Sequence, residues 1–445
     1  MNSKWHSTQL SSLLSGKPRN GLYKGAEYQG VGCRWIKMKD IYGSDFIKNQ
    51  AMMLIDATPS EIERFGCEDG DLLFGRTSLT LEGIGDCALL CQPRDTPIFE
   101  SNLFRVRFDR SKADPRFFYY FFKSPQGKEL IQSIAKQTAA TSITATDLIG
   151  LDVPCPDLAE QHKVSGFLHA LDDRITLLRE TSATLEAIAQ ALFKSWFVDF
   201  DPVRAKAEGL EPEGLDMATA ALFPDSFEES ELGLVPRGWL ASTLDDISDV
   251  GIGKTPPRKE AHWFSESPDD MRWVSIRDMG SSGAFLTETS EYLTADAVSR
   301  FNVRRVPDNT VLLSFKMTIG RVAITSGEMT TNEAIAHCKI TEQSPLASEY
   351  IYLHLRQFDY STLSSTSSIA DAVNSKTVKA ISILIPDADV AAAFQRTVSV
   401  IFDRVKTVQQ QAKALTQLRN TLLPRLINGQ LRLPEAEVMV EEVCA

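Results

Sequence analysis

A chain of 445 residues, 43% hydrophobic and 24% charged, is too long for a single core and reads as an ordinary globular protein of two or three domains. Its formal charge of −12 excludes a uniformly basic nucleic-acid binder. However, residues 199–238 carry 3 basic against 10 acidic groups and residues 431–445 carry 1 against 4, so local basic patches remain open elsewhere. No apolar run approaches the roughly 18 residues of a membrane span, and MNSKWHSTQL lacks the apolar core of a signal peptide. Seven scattered cysteines show no CxxC spacing and six histidines no HExxH. These features predict a cytoplasmic chain with reduced cysteines and no metal site.

Along the chain, Trp5 and Leu10 open a first domain, and RWIKMKDI follows at 34–41. DGDLLFGR (69–76) is an apolar run after a turn-forming Asp, the pattern of a buried strand. KQTAATSIT (136–144) is a Ser/Thr-rich loop, and ITATDLIGLDVPCP (143–156) ends in Pro. A long helix is predicted over 159–197, with Leu171, Ile175, Leu178, Ser182, Leu185, Ala189, Leu192 and Trp196 at coiled-coil spacing. Pro202 is expected to end it. The connector to 238 reads as extended, with a short helix at Met217–Leu222.

The same series then recurs. Trp239 and Leu244 match Trp5 and Leu10, and RWVSIRDM (272–279) matches the octapeptide 238 residues on. DNTVLLSF (308–315), STLSSTSS (361–368) and VNSKTVKAISILIP (373–386) match the later segments in order. A second helix over 389–427 carries Ile401, Val405, Val408, Ala412, Leu415, Arg419, Leu422 and Leu426 on the equivalent seam. Two homologous halves are the reading. Helices of roughly 58 Å with apolar seams bury each other most simply. Packing of each helix only on its own domain is the plainer alternative. The expected fold is α+β, with two homologous α/β domains separated by two long helices paired as an antiparallel coiled coil, pseudo-twofold, with a domain at each end. The boundaries are 1–153 and 239–385 for the domains, 154–200 and 386–430 for the helices, 201–238 for an acidic linker and 431–445 for an acidic, disordered tail.

No catalytic constellation stands out. GIGKT (251–255) is similar to the end of a phosphate loop, but Ser248 replaces the first Gly and Pro256 and Pro257 follow where a helix is needed. DFDPVR (199–204) lacks the second Pro and the aromatic of an amino-methyltransferase motif, and no glycine-rich cofactor loop follows a strand. Basic and small polar residues beside predicted turns suit nucleic acid better. In the first half these are Arg34, Lys37, Lys39, Arg76, Thr77, Ser78, Gln137, Thr138, Thr141 and Ser142. In the second they are Lys254, Thr255, Arg258, Lys259, Arg272, Arg277, Lys316, Thr318, Ser365 and Ser367. For any single one, a solvated surface group is the plainer reading; their pairing in two halves strengthens the set. Trp35 and Trp273 lie among alternating apolar residues and read as core.

LEAIAQALFKSWFVDFDPVRAKAEG (185–209) resembles the central region of specificity subunits of type I DNA restriction-modification systems. ALFPDSFEESELGLVPRGW (221–239), GKTPPRKEAHW (253–263) and PCPDLAEQHKV (154–164) are similar to other parts of that family, so the resemblance covers essentially the whole chain. ILIPDADVAAAFQRT (383–397) departs from it, lacking the Glu-Gln pair that 160–161 keeps. The resemblance implies two target recognition domains that read one split, asymmetric DNA site. It also implies helices that space the domains and hold two methyltransferase subunits, with motor nuclease subunits joining in some complexes. On that reading the chain is non-catalytic and binds no cofactor itself. S-adenosylmethionine serves the partner methyltransferases, and ATP and Mg serve the restriction subunits. A helical rod of that length would span at most about 17 base pairs. The rival readings are a coiled-coil protein-binding adaptor without sequence-specific DNA recognition, and a fused enzyme.

Overall fold

The computed structural model describes residues 5–42, 46–137, 141–364 and 374–444. They form two compact units, one running to Thr176 and resuming at Lys413, the other spanning Leu177–Ala412.

The first unit is built on a five-stranded sheet in the order Arg19–Asn20, Leu103–Val106, Leu72–Gly75, Cys87–Leu90 and Phe46–Ile47. All its pairings are antiparallel except the last, which is parallel. Both faces are covered, so the central strands are buried at every residue, as the uninterrupted apolar run of LLFG requires. The helix Pro115–Lys123 packs on this sheet, its Phe122 ring edge-on to Phe74 at 5.0 Å. A smaller sheet places Gln29–Ile36 between Met53–Ile55, antiparallel, and Ile98–Phe99, parallel.

The second unit repeats this plan, adding one strand, Phe264–Ser265, at the edge of its smaller sheet. Its five-stranded sheet runs Ser248–Ile252, Ile335–Ile340, Val311–Ser314, Val322–Thr325 and Phe285–Leu286, again with only the last pairing parallel. In its smaller sheet Met271–Val274 lies between antiparallel Glu291–Leu293 and parallel Thr330–Thr331. In each half the first strand pairs with the last, Ser7–Gln9 with Asp152–Pro154 and Leu240–Thr243 with Ser382–Ile385. The internal repeat is therefore a repeat of topology and register as well as of sequence.

The recurring octapeptide proves to be a fold signature. Trp35 and Trp273 are buried on equivalent strands, at residues paired in parallel with Ile98 and Thr330. The repeated Asp closes the first turn of the short helix that follows: Asp40 accepts from the Lys37 amide at 2.8 Å and Asp278 from the Ser275 amide at 2.8 Å, satisfying donors that a helix start leaves orphaned.

The long helices are Leu158–Phe197 and Ala388–Ile427, 40 residues each. The seam read from the sequence is buried at Leu171, Ile175, Leu178, Ser182, Ala189 and Trp196, and at Val405, Val408, Ala412, Leu415, Leu422 and Leu426; Leu185, Leu192 and Ile401 are partly buried. Within the second unit, Gln409 Nε2 donates to Ser182 Oγ at 3.1 Å while Phe394 stacks edgewise against Phe193 at 5.9 Å. Rising numbers on one helix thus meet falling numbers on the other, so the helices run antiparallel. Within the first unit the seam turns polar: Arg419 pairs with Asp172, whose other oxygen accepts from Tyr120 Oη at 2.6 Å. The helices pack on each other and on their own domains at once.

Three expectations need correction. The linker is not an extended connector, and Pro202 does not end the long helix. That helix stops at Phe197, Phe200 takes a left-handed φ of 57°, and Pro202 sits in the first turn of a new helix, Asp201–Ala207. Proline suits that turn because its missing N–H would have had no partner there. The predicted helix Met217–Leu222 is present, and a hairpin pairs Phe227–Ser230 with Gly233–Pro236. Val203, Phe223 and Val235 are buried with Trp196 and Trp239 in one core, which is why so acidic a segment folds. The tail is likewise ordered, as helix Leu433–Cys444 with Ala436 buried.

Candidate nucleic-acid interface

In each half three segments singled out by the sequence converge at one end of the five-stranded sheet. The strand Leu72–Gly75 leaves the sheet through Arg76, and Thr77–Ser78 then pairs with Thr141–Ser142, which pairs with Lys136–Gln137. The short helix Met38–Tyr42 lies alongside: Tyr42 Oη donates to Gly83 O at 3.2 Å, and a Cβ on Gly75 would stand 3.1 Å from Met38 Cε. This brings Lys37, Lys39, Arg76, Thr77, Ser78, Thr141 and Ser142 to one region. Lys39 is exposed and Thr141 buried. Lys37 lies over the Trp35 ring at 4.6 Å, and Arg76 Nη1 donates to Ser101 O at 3.3 Å. Burial pushes the Tyr42 hydroxyl pKa above its usual range, with nearby Asp86 adding to the shift.

The second half assembles the equivalent end from equivalent parts. Val311–Ser314 leaves the sheet into Lys316, Met317 and Thr318, all exposed. Arg321 Nη1 donates to Ile276 O at 2.6 Å and ties this connection to the short helix Ile276–Ser281, on which Arg277 is exposed. Gly320, left-handed at φ 87°, lies against the Tyr360 ring, where a side chain would approach within 3.0 Å. The Ser/Thr-rich segment begins there, at Tyr360–Ser364. GIGKT runs past the same end: Lys254 N donates to Thr331 O at 2.9 Å, Thr255 hydrogen-bonds Glu333, and Phe315 N donates to neighbouring Ala334 O at 3.0 Å. No phosphate-loop helix follows it; the next helical turn is Ala261–Trp263.

Other predicted residues lie elsewhere. Arg34 forks onto Asp95 and donates to Lys48 O at 2.9 Å, and Arg272 donates to Thr287 O and Ser326 O, both at 2.9 Å. Both sites are at the opposite end of their sheets, and both arginines serve as internal ties. Arg258 is held by two bonds to Glu291, at 2.6 and 2.9 Å, and stacks over Phe264 and Trp273; that pairing raises its pKa. Lys259 beside it is exposed. Thr138, Ser365 and Ser367 fall outside the described residues, as does the side chain of Gln137. Sequence reading missed Tyr42, Leu79 and Met317, exposed at these same ends; hydrophobic residues next to strands are counted as core unless the turn is located.

Among the described residues no group of His, Cys, Asp and Glu could hold a metal ion, and no helix is long and apolar enough to cross a membrane. The departure of the second helix from the Glu-Gln pattern has a local cause. Gln161 is buried, accepts from the Asp114 amide at 2.9 Å and donates to Pro156 O at 2.8 Å, beside the Asp114 cap of helix Pro115–Lys123. In the second half the equivalent cap is Ala347, with no side-chain hydrogen bond, and Ala391 stands in place of the Gln. The two positions change together.

Comparison with known proteins agrees with this architecture. Residues 2–187 and 236–423 match the type I restriction modification DNA specificity domain, one copy in each half. The chain is 31% identical to the HindI type I restriction enzyme specificity subunit of Haemophilus influenzae, over 89% of this chain and 94% of that one. It is 22% identical to the MjaIX specificity subunit of Methanocaldococcus jannaschii, over 92% and 89%. Its fold is similar to a crystal structure of a type I restriction-modification S subunit from M. genitalium, with a TM-score of 0.55, 14% identity and 96% of both chains covered. On its doubled topology and these matches, the chain belongs to the family of type I restriction-modification DNA specificity subunits.

Proposed function

We propose that this chain reads a bipartite, asymmetric DNA site and positions two methyltransferase subunits on it, and restriction subunits where they are present. The observation that carries this reading is the same sheet end built twice and furnished with different polar side chains. Arg76, Thr77 and Ser78 stand where the other half has Lys316 and Thr318. Hydroxyls and cations on such ends can contact phosphates and base edges, and unequal sets call for unequal half-sites. Adenine methylation with S-adenosylmethionine would belong to the partner subunits, and ATP and Mg to the restriction subunits.

The test is methylome sequencing of a host expressing this chain with its methyltransferase subunit. A split motif with two different halves is expected; a single contiguous motif would overturn the two-reader scheme. Incubating the isolated chain with DNA and labelled S-adenosylmethionine checks the division of labour, since methyl transfer without partners would place catalysis here.

A further inference from the structure

Among the described residues, the two most exposed large hydrophobic side chains are Leu79, at 95%, and Met317, at 94%. They lie in equivalent connections of the two halves, those that leave the central strand, Leu72–Gly75 or Val311–Ser314, before the next strand of the sheet, Leu79 four residues past its strand and Met317 three. Single exposed hydrophobics are common on protein surfaces. Two in equivalent connections, each a few residues beyond the end of a central strand and each flanked by cationic or hydroxyl residues, are not explained by that background. Leu79 follows Arg76, Thr77 and Ser78 and precedes Thr80, and Met317 stands between Lys316 and Thr318.

Met317 also has a left-handed backbone, φ 59°, a conformation costly for a side chain with a Cβ. Gly320 at φ 87° turns the chain back, and Ser314 Oγ donates to Thr318 O at 2.6 Å to close the turn. The loop is thus held in a shape that projects an unbranched apolar side chain into solvent.

We infer that Leu79 and Met317 are wedges that insert between stacked base pairs, one in each half-site, and that the adjoining cations and hydroxyls grip the phosphates on either side. Leucine and methionine are among the apolar residues that proteins use to part base steps. Such insertion favours easily unstacked pyrimidine–purine steps, so each wedge selects sequence without a hydrogen bond to a base. The inference rests on the DNA-reading function proposed above and adds the residue that deforms each half-site.

The test uses the complete complex with its methyltransferase subunits, on duplexes carrying 2-aminopurine at successive positions outside the methylated adenines. Wild-type protein should raise fluorescence at one step in each half-site. Met317→Ala should abolish the signal in the second half-site alone and weaken binding there about tenfold, or about 1.4 kcal/mol. Leu79→Ala should do the same in the first, and Met317→Leu should restore the signal. Unfolding midpoints should not move, because neither side chain is packed. Protected half-sites with no fluorescence change, or a change that survives both alanine variants, would overturn the wedge and leave the reading function standing. No protected half-site for the wild-type complex would overturn the reading function itself.

Discussion

Arg277 and Lys316 are exposed, Lys316 lying over the Phe315 ring at 5.4 Å, whereas Arg34 and Arg272 are held by carboxylate and carbonyl partners, so the exposed cations are the ones expected to meet DNA. Replacing Lys37, Lys39 and Arg76 by Ala should weaken the first half-site alone, and replacing Arg277 and Lys316 the second alone. A bidentate base contact would cost about 1–3 kcal/mol at one base pair, and a phosphate contact would lower affinity for every sequence alike. Footprints that lose both half-sites equally would argue against independent readers. The sequence made the repeat legible through Arg-Trp-x-x-x-x-Asp, because core and capping residues recur wherever the fold does. It could not separate tie from contact, since an arginine that holds two loop carbonyls and one that faces solvent have the same neighbours along the chain.

At the scale of elements, the long helices were legible to within a residue at their N-termini, because alternate steps of three and four leave little freedom. The acidic linker and tail were misread because composition registers their charge, whereas Val203, Phe223, Val235 and Ala436 are too sparse to show a period before their packing partners are known. The seam's polar sites lend themselves to direct measurement. Asp172 is largely buried between Arg419 and the Tyr120 hydroxyl, so Asp172→Ala, which removes the carboxylate that both contact and leaves the buried Tyr120 hydroxyl without its acceptor, should cost about 1–3 kcal/mol in urea unfolding. Asp172→Asn keeps an acceptor for Tyr120 and should cost less. Acid should act on the second unit through its buried histidines. Burial lowers His354 from 6.5 to about 4, opposed in part by the Ser382 carbonyl, and lowers His337 from 6.5 to about 3, helped by Arg304. Both are neutral when folded and take a proton on unfolding. Their contribution is therefore complete above pH 6.5 and is lost as the pH falls toward those depressed values. Below 6.5 the slope should approach about 1.4 kcal/mol per pH unit for each histidine. His354→Gln should remove one share of that slope in melts taken between pH 7 and 5.

At the scale of the molecule, each long helix starts in one unit and ends in the other, so helix length is expected to set half-site separation. Seven residues inserted after Leu178 and seven more after Val408 preserve the seam and add about 10.5 Å, near three base pairs. The doubly extended protein should prefer half-sites that much farther apart with both sequences unchanged; an altered sequence at unchanged spacing would contradict this. The pairing of first strand with last within each half carries a different consequence. A reader whose chain enters and leaves through adjacent strands is expected to behave as a cassette: DNA encoding 7–154 or 240–385 should be exchangeable for that of a relative wherever the two neighbouring backbone segments and the side chains packed on the long helices still fit. New target sequences can then arise by recombination in one event, without reworking the helices on which the partner subunits would assemble.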